Sequence, residues 1–404
     1  VPDGSPPSAR DERAALADVL RLALGVVVAL GFARFAYALL LPAMRSDLGW
    51  SYTTAGSLNT ANAAGYLLGA VLAAPFMTRF GAKWTFLAGM LVTGVALLAT
   101  GLGEALPWLL FTRGLAGASG ALTFTAGGVL AAHAASSVRA SRSGTILSVF
   151  YAGGGLGILA TGLVLPSVLD AFGAASWHVG WLGLGGLALL AVPISAKGIA
   201  GEATKRPRAG ERRGSPEFSF LRPALIAYTL FAVGYIAYMT FSVALLRARG
   251  ADDLQVTAFW SVLGLASMIA PWIWGGLLQR ARGGTALAVL LTGCALGAGL
   301  PVLLASPLLS LVSAALFGAS FLSVVAATTA LVRHHLPTSS WSAGVATFTV
   351  VFAAFQTLGP LLSGWLSDRA GGLPLGLGVS AALLLIGAVV ARLQPPPPFL
   401  PNSG

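Results

Sequence analysis

Two arginines stand where arginine is out of place. Arg34 lies in VVVALGFARFAYALLLP, residues 26–42, and Arg113 lies in the apolar run that follows Pro107. A guanidinium stays charged at any working pH and presents its donors as a planar fork that matches a carboxylate. All thirteen acids sit in tails, loops or the ends of apolar runs, so neither cation has an acid partner at its depth. Two permanent charges without counter-charges point to a bound anion. Asn59, Asn62 and Tyr66 fall at i, i+3 and i+7 and so share one helix face, a candidate polar lining. Gln356 is a lone amide midway along another apolar run, and Tyr37, Tyr235, Tyr238 and Trp260 are candidates for an aromatic cage around the apolar part of a ligand. Bland readings stand beside these. Arg34 snorkels if its head group crosses roughly 12 Å to Pro42. Arg113 is structural, the asparagines tie helices together, and each aromatic is packing or an interface anchor.

The elements that hold these residues are set by composition. Of 404 residues 56% are hydrophobic and only 9% charged, against about 25% charged in soluble domains, so the chain is an integral membrane protein. A bilayer-crossing helix needs about 20 apolar residues. Such runs occur near 18–41, 53–77, 83–102, 107–131, 143–168, 176–196, 223–246, 254–277, 283–304, 307–331, 341–366 and 373–394. The fold expected is all-α, with twelve transmembrane helices in two six-helix pseudo-repeat bundles, 18–196 and 223–394. A tail over 1–17, a basic linker over 197–222 and a tail over 395–404 complete the chain. Setting aside Arg34 and Arg113, eighteen Lys and Arg fall on the side of the tails and linker and four (Arg45, Arg247, Arg249 and Arg369) on the other. That bias places both termini and the linker in the cytoplasm, in a cell inner (plasma) membrane. The net charge of +11 is therefore topological, and no nucleic-acid partner is expected.

The halves echo each other. Ala33-Arg34-Phe35-Ala36-Tyr37 in the first span aligns with Gly234-Tyr235-Ile236-Ala237-Tyr238 in the seventh, and the Gly157–Gly162 segment of the fifth aligns with Gly359–Gly364 of the eleventh. Repeated halves with a site at midplane are a common transporter plan. Arg113-Gly-Leu-Ala-Gly117 resembles the RxxxG motif of the major facilitator superfamily. MTRFGAKW, residues 77–84, resembles that superfamily's loop motif D-R-x-G-R-K, with Thr78 in place of the acid. GFARFAYALLLPAM and VGYIAYMTFSVALL resemble its YbfB/YjiJ branch. The resemblance covers nearly the whole chain. It implies that the first and fourth helices line a central cavity, which would bring Arg34 and Arg113 together, and that Arg79, Gly81, Lys83, Asp368 and Arg369 belong to gates. The missing loop acid removes the usual gating salt bridge.

Nothing supports catalysis: there is no GxxxxGK[ST], no HExxH and no His–acid cluster within one segment. Neither a cofactor nor a metal is expected. The function expected is secondary active transport by alternating access of a small organic anion such as a monocarboxylate. Efflux of a neutral or amphipathic metabolite or drug is the alternative. The expected partners are the lipid bilayer and a small-molecule substrate. The protein is expected to act as a monomer, and a proton riding on the substrate carboxylate stays open as a coupling ion.

Overall fold

In a bilayer every backbone N–H and C=O must be satisfied within the segment, so an apolar chain of this kind folds as helices. The computed structural model describes residues 9–136, 138–199, 218–337 and 340–397. Most of the expected linker and parts of both expected tails lie outside these residues. Span 1 comprises Ala9–Val26, Val27–Phe35 and Tyr37–Asp47; span 4 is Leu106–Ser136, span 5 Ala140–Phe172 and span 6 Trp177–Ala196. Spans 7 to 10 are Arg222–Ala248, Asp253–Arg280, Thr285–Leu303 and Pro307–His335. Span 11 comprises Trp341–Phe355 and Leu358–Ser367, and span 12 is Gly372–Arg392. Spans 2 and 3 form one helical run, Tyr52–Thr100, broken at Gly81, where φ is +82°. A left-handed φ is cheap only for glycine, so Gly81 turns the chain back with no longer loop. Helix also reaches back to Ala9, into the stretch expected as tail.

Two irregularities were not expected. Val27–Phe35 is a π-helix, closed by Ala36 N–H donating to the Gly31 carbonyl at 2.9 Å, and Gln356 and Thr357 interrupt span 11. Both fall at midspan, and π-turns are frequent at functional sites.

The pseudo-repeat is visible in contacts. A Cβ on Gly157 would press on Gly31 of span 1, and one on Gly359 would press on Val233 and Ile236 of span 7. One turn further, Gly162 lies against Trp260 of span 8, and Gly364 against Tyr52 of span 2. Equivalent glycines thus seat each half's fifth helix on its own first helix and on the other half's second. Small residues at such crossings let backbones approach closely.

Alternating spans put both described chain ends at one end of the bundle. Among the described residues, the hydrogen bonds joining the two halves lie at midspan (Arg34 to Tyr235 and Gln356, Asn59 to Thr240, Thr60 to Thr357) or at the end away from the termini (Tyr52 and Thr53 to Asp368). Gaps open between the halves at both ends: one of about 340 Å³ between spans 5 and 8 near the terminal end, lined by Thr145, Ser148, Trp272 and Gln279, and one of about 220 Å³ at the other end, lined by Pro42, Arg45, Tyr52 and Arg247.

Candidate functional site

Arg34 is 4% exposed at the last turn of the π-helix, where span 1 meets the other half. Its Nη2 donates to the Tyr235 hydroxyl at 2.6 Å and to Gln356 Oε1, and the Tyr235 hydroxyl also donates to Gln356 Oε1 at 3.0 Å. The guanidinium lies 5.1 Å from the Tyr66 ring centroid, within cation–π range. Arg34 Nε and Gln356 Nε2 are buried with no hydrogen-bond partner among the described residues. The site therefore gives the cation acceptors but no counter-charge. Arg34 turns inward rather than snorkelling. Arg34 and Tyr235 occupy equivalent positions of the two repeats, and the pseudo-symmetry is what brings them face to face.

Aromatic rings continue from this centre. Tyr235 stacks with Phe352 at 5.3 Å, and Tyr228 stacks with Phe352 at 5.3 Å and with Phe231 at 5.7 Å. From the first half, Tyr66 stands near enough to Arg34, Tyr235 and Tyr151 to interact electrostatically. Tyr151 is half-exposed and packs on Phe124 at 5.9 Å. Tyr228, Phe352 and Tyr151 escaped the sequence reading. The first carried a signal, since Tyr228, Phe231, Tyr235 and Tyr238 recur at helical spacing along span 7.

Several expected lining residues lie elsewhere. Tyr37, three residues beyond Arg34, donates its hydroxyl to the Ala55 carbonyl at 2.6 Å, inside the first half. Its repeat equivalent Tyr238 pairs with Ser313 at 2.6 Å, inside the second. A buried phenol needs a partner, and each finds one in its own bundle. Trp260 is fully buried against Gly162 at the span 5–span 8 crossing. The four-membered aromatic cage is therefore not formed; of its members only Tyr235 touches Arg34. The face shared by Asn59, Asn62 and Tyr66 divides its work. Asn59 donates across to Thr240 at 2.6 Å, while Asn62 donates to the Ala33 and Arg113 carbonyls at 3.3 and 3.1 Å, tying spans 1, 2 and 4.

Arg113 is fully buried within the first half, its guanidinium 4.8 Å from the Trp181 ring and 5.3 Å from the Tyr37 ring. None of its three nitrogens has a hydrogen-bond partner among the described residues. The two arginines feel each other's charge but share no ligand surface in this arrangement, because the Tyr37 and Trp181 rings cover Arg113.

At the expected gates, Arg79 and Lys83 flank Gly81 and lie near the Phe80 and Trp84 rings, with no acid partner among the described residues. Asp368 does not pair with Arg369, which sits over Trp365 at 4.4 Å. Asp368 instead accepts from Tyr52 N–H at 2.8 Å, Thr53 N–H at 2.9 Å and the Thr53 hydroxyl at 2.5 Å, so span 11 caps the start of span 2 across the halves. Partial burial pushes the Asp368 carboxyl up, but these hydrogen bonds, with one from Ser51, together outweigh it and hold the carboxyl below the usual range. No group of three or more His, Cys, Asp or Glu that could hold a metal occurs among the described residues.

The fold is shared with solved transporters. A bacterial homologue of the human lysosomal transporter Spinster, in an inward-facing unoccupied conformation, superposes with a TM-score of 0.69 at 14% identity, covering 97% of this chain and 98% of that one. The nucleoside transporter NupG superposes at 0.72 with 13% identity, covering 93% of this chain and 98% of that one. No curated protein matches the sequence significantly. Residues 26–392 match the family described as uncharacterised MFS-type transporter YbfB, and the chain is a multi-pass membrane transporter belonging to that family.

Proposed function

We propose that the protein is a secondary transporter that carries a small organic monoanion with an apolar body by alternating access. The observation that carries this reading is Arg34. It is a buried cation at the meeting point of the halves, held by neutral groups alone and bordered by the rings of Tyr66, Tyr235 and Phe352. A carboxylate there gains charge-assisted hydrogen bonds, and the rings take up the apolar remainder. Arg113, covered by Tyr37 and Trp181, adds positive potential without direct contact, so Arg34 alone offers hydrogen bonds and the centre matches a single carboxylate. Hydrogen bonds between the halves at midspan and the far end are what a carrier open toward its termini would have. With the Lys/Arg bias, that side is the cytoplasm of a cell inner membrane. The Gly81 hairpin with Arg79 and Lys83 lies at the open mouth, and Asp368 with Arg369 at the closed one. With no acid in the interior of the spans, a coupled proton travels on the cargo. The carrier works as a monomer.

A second reading, efflux of a neutral or amphipathic compound, draws support from the neutral partners that already satisfy part of Arg34 and from the shared fold with a nucleoside transporter. A thermal-shift screen of purified protein against organic acids, neutral amphiphiles and cations separates the two, because a ligand that prefers the folded state raises its melting temperature. Protection by monocarboxylates supports the first reading. Protection by neutral amphiphiles alone replaces it with the second.

A further inference from the structure

We infer that the Gln356 amide is a resident stand-in for the cargo's carboxylate, and that cargo binds by displacing it and so unfastens the two halves at midspan. The inference rests on the organic-anion reading for the identity of the cargo, but the latch itself stands on the geometry alone.

Arginine only donates, so the Gln356 oxygen must face it, and Oε1 accepts from both Arg34 Nη2 and the Tyr235 hydroxyl. The fit is incomplete in an informative way. Nε and Nη2 share one edge of a guanidinium, the edge that takes a carboxylate side-on with two parallel bonds. Here Nη2 is occupied and Nε, buried beside it, has no partner among the described residues. An amide has one oxygen for an edge built for two, and its own Nε2 is left buried and unpaired among the described residues. A carboxylate on that edge would satisfy both nitrogens and the charge. The amide, once released, could turn its orphaned donor toward another acceptor.

Release has a mechanical consequence. Gln356 belongs to span 11 and Arg34 to span 1, so their bond fastens one half to the other. Each sits at a backbone irregularity: the π-turn ends at Phe35, and span 11 is interrupted at Gln356 and Thr357. The Thr357 carbonyl, freed by that interruption, accepts from Thr60 of span 2 at 2.9 Å, a second tie at the same level. Segments already off the helical ladder move with less loss than an unbroken helix. A cargo that takes Arg34 from Gln356 thereby loosens the contact that separates one access state from the other, a differential interaction of the kind a population shift requires. A ligand unable to compete for the Nε–Nη2 edge leaves the latch closed, so Gln356 sets specificity by competition rather than by contact.

The test uses the full chain in detergent, with benzoate as the probe. Gln356→Glu installs a permanent carboxylate, and Gln356→Leu removes the competitor. Without ligand, the melting temperatures are expected in the order Glu, Gln, Leu from highest to lowest, and the order should collapse in an Arg34→Gln background. An order that is reversed, or that persists without Arg34, overturns the latch. Benzoate should bind Gln356→Leu more tightly than wild type and Gln356→Glu at least about tenfold more weakly. Unchanged benzoate affinity in Gln356→Glu overturns the exchange step. If wild type itself ignores benzoate at millimolar levels, the organic-anion reading and the exchange fail together, while the ligand-free order still decides the latch.

Discussion

Removing the Asp368 carboxylate should open the end of the protein away from its termini without unfolding it. Asp368 accepts three hydrogen bonds from Tyr52 and Thr53 at the start of span 2, and Ser51 of the same helix already provides a local cap by accepting from Thr54 N–H at 3.1 Å. The helix therefore keeps a cap when Asp368 is lost. What disappears is a tie that exists only while the halves meet at this end. An N-cap contact contributes about 0.5–2 kcal/mol and a charge at a helix N-terminus about 0.3–1 kcal/mol. Asp368 is exposed, and solvent screening brings the sum to about 1 kcal/mol. That corresponds to roughly a fivefold shift between closed and open populations. Spin labels at Leu102 and Leu303, exposed and close to this end of the two halves, with Cys294 replaced by Ala, report the distance between them. Asp368→Ala should raise the ratio of long to short distances about fivefold, and Asp368→Asn, which keeps an acceptor, by less. The folded-state carboxyl titrates below its unfolded value, so the tie is complete at neutral pH and is lost as pH falls through the lowered value. Acidification below about pH 4 should lengthen the wild-type distances and leave Asp368→Ala unmoved. An Asp368→Ala distribution identical to wild type, in folded protein, would refute the reasoning.

Three further outcomes follow from particular contacts. In Gly31→Ala the new Cβ would lie 2.5 Å from the Gly157 Cα, backbone that cannot rotate away, so the melting temperature should drop by an amount equivalent to about 1–3 kcal/mol, whereas Gly144→Ala, with nothing within 4 Å, should not fall. Arg113→Met should fold with an equal or higher melting temperature, because a charge without hydrogen bonds leaves the core, and should weaken anion binding only about threefold; a loss as large as that of Arg34 variants would place Arg113 in direct contact with cargo. On intact cells an impermeant thiol reagent should label a cysteine at Ser306 and spare one at Ser215, and the reverse pattern would invert the orientation.

The apolar runs and their bounding charges made the twelve spans readable, since hydropathy reports depth. It does not report azimuth. That is why Arg34 and Arg113, on helices that the resemblance places around one cavity, were expected together, and why Tyr37 and Tyr238 were expected beside Tyr235. The π-helix adds to the error, because it shifts the register of i, i+3 and i, i+4 relations in the turn that carries Arg34. No residue type marks such a turn. It coincides with the close Gly31–Gly157 approach and with the partners that Arg34 finds 201 and 322 positions away. The interruption at Gln356 is of the same kind: the amide was visible in the sequence, the broken helix around it was not. The gate residues show the converse, since Gly81 was readable from the loop motif that residues 77–84 resemble, whereas the partners of Asp368 depend on how two halves dock.

The central claim is that Arg34 holds the cargo's charge, and ligand affinity in Arg34→Ala, Arg34→Lys and Arg34→Gln tests it most directly, with melting temperature measured alongside. A charge-assisted contact contributes about 1.5–3 kcal/mol, so Ala and Gln should lose about ten- to a hundredfold in monocarboxylate affinity while still folding. Lys should also be impaired, because a point-like ammonium lacks the planar edge that Nε and Nη2 provide. Wild-type affinity in Arg34→Ala would contradict the account, since the arginine would then lie outside the site.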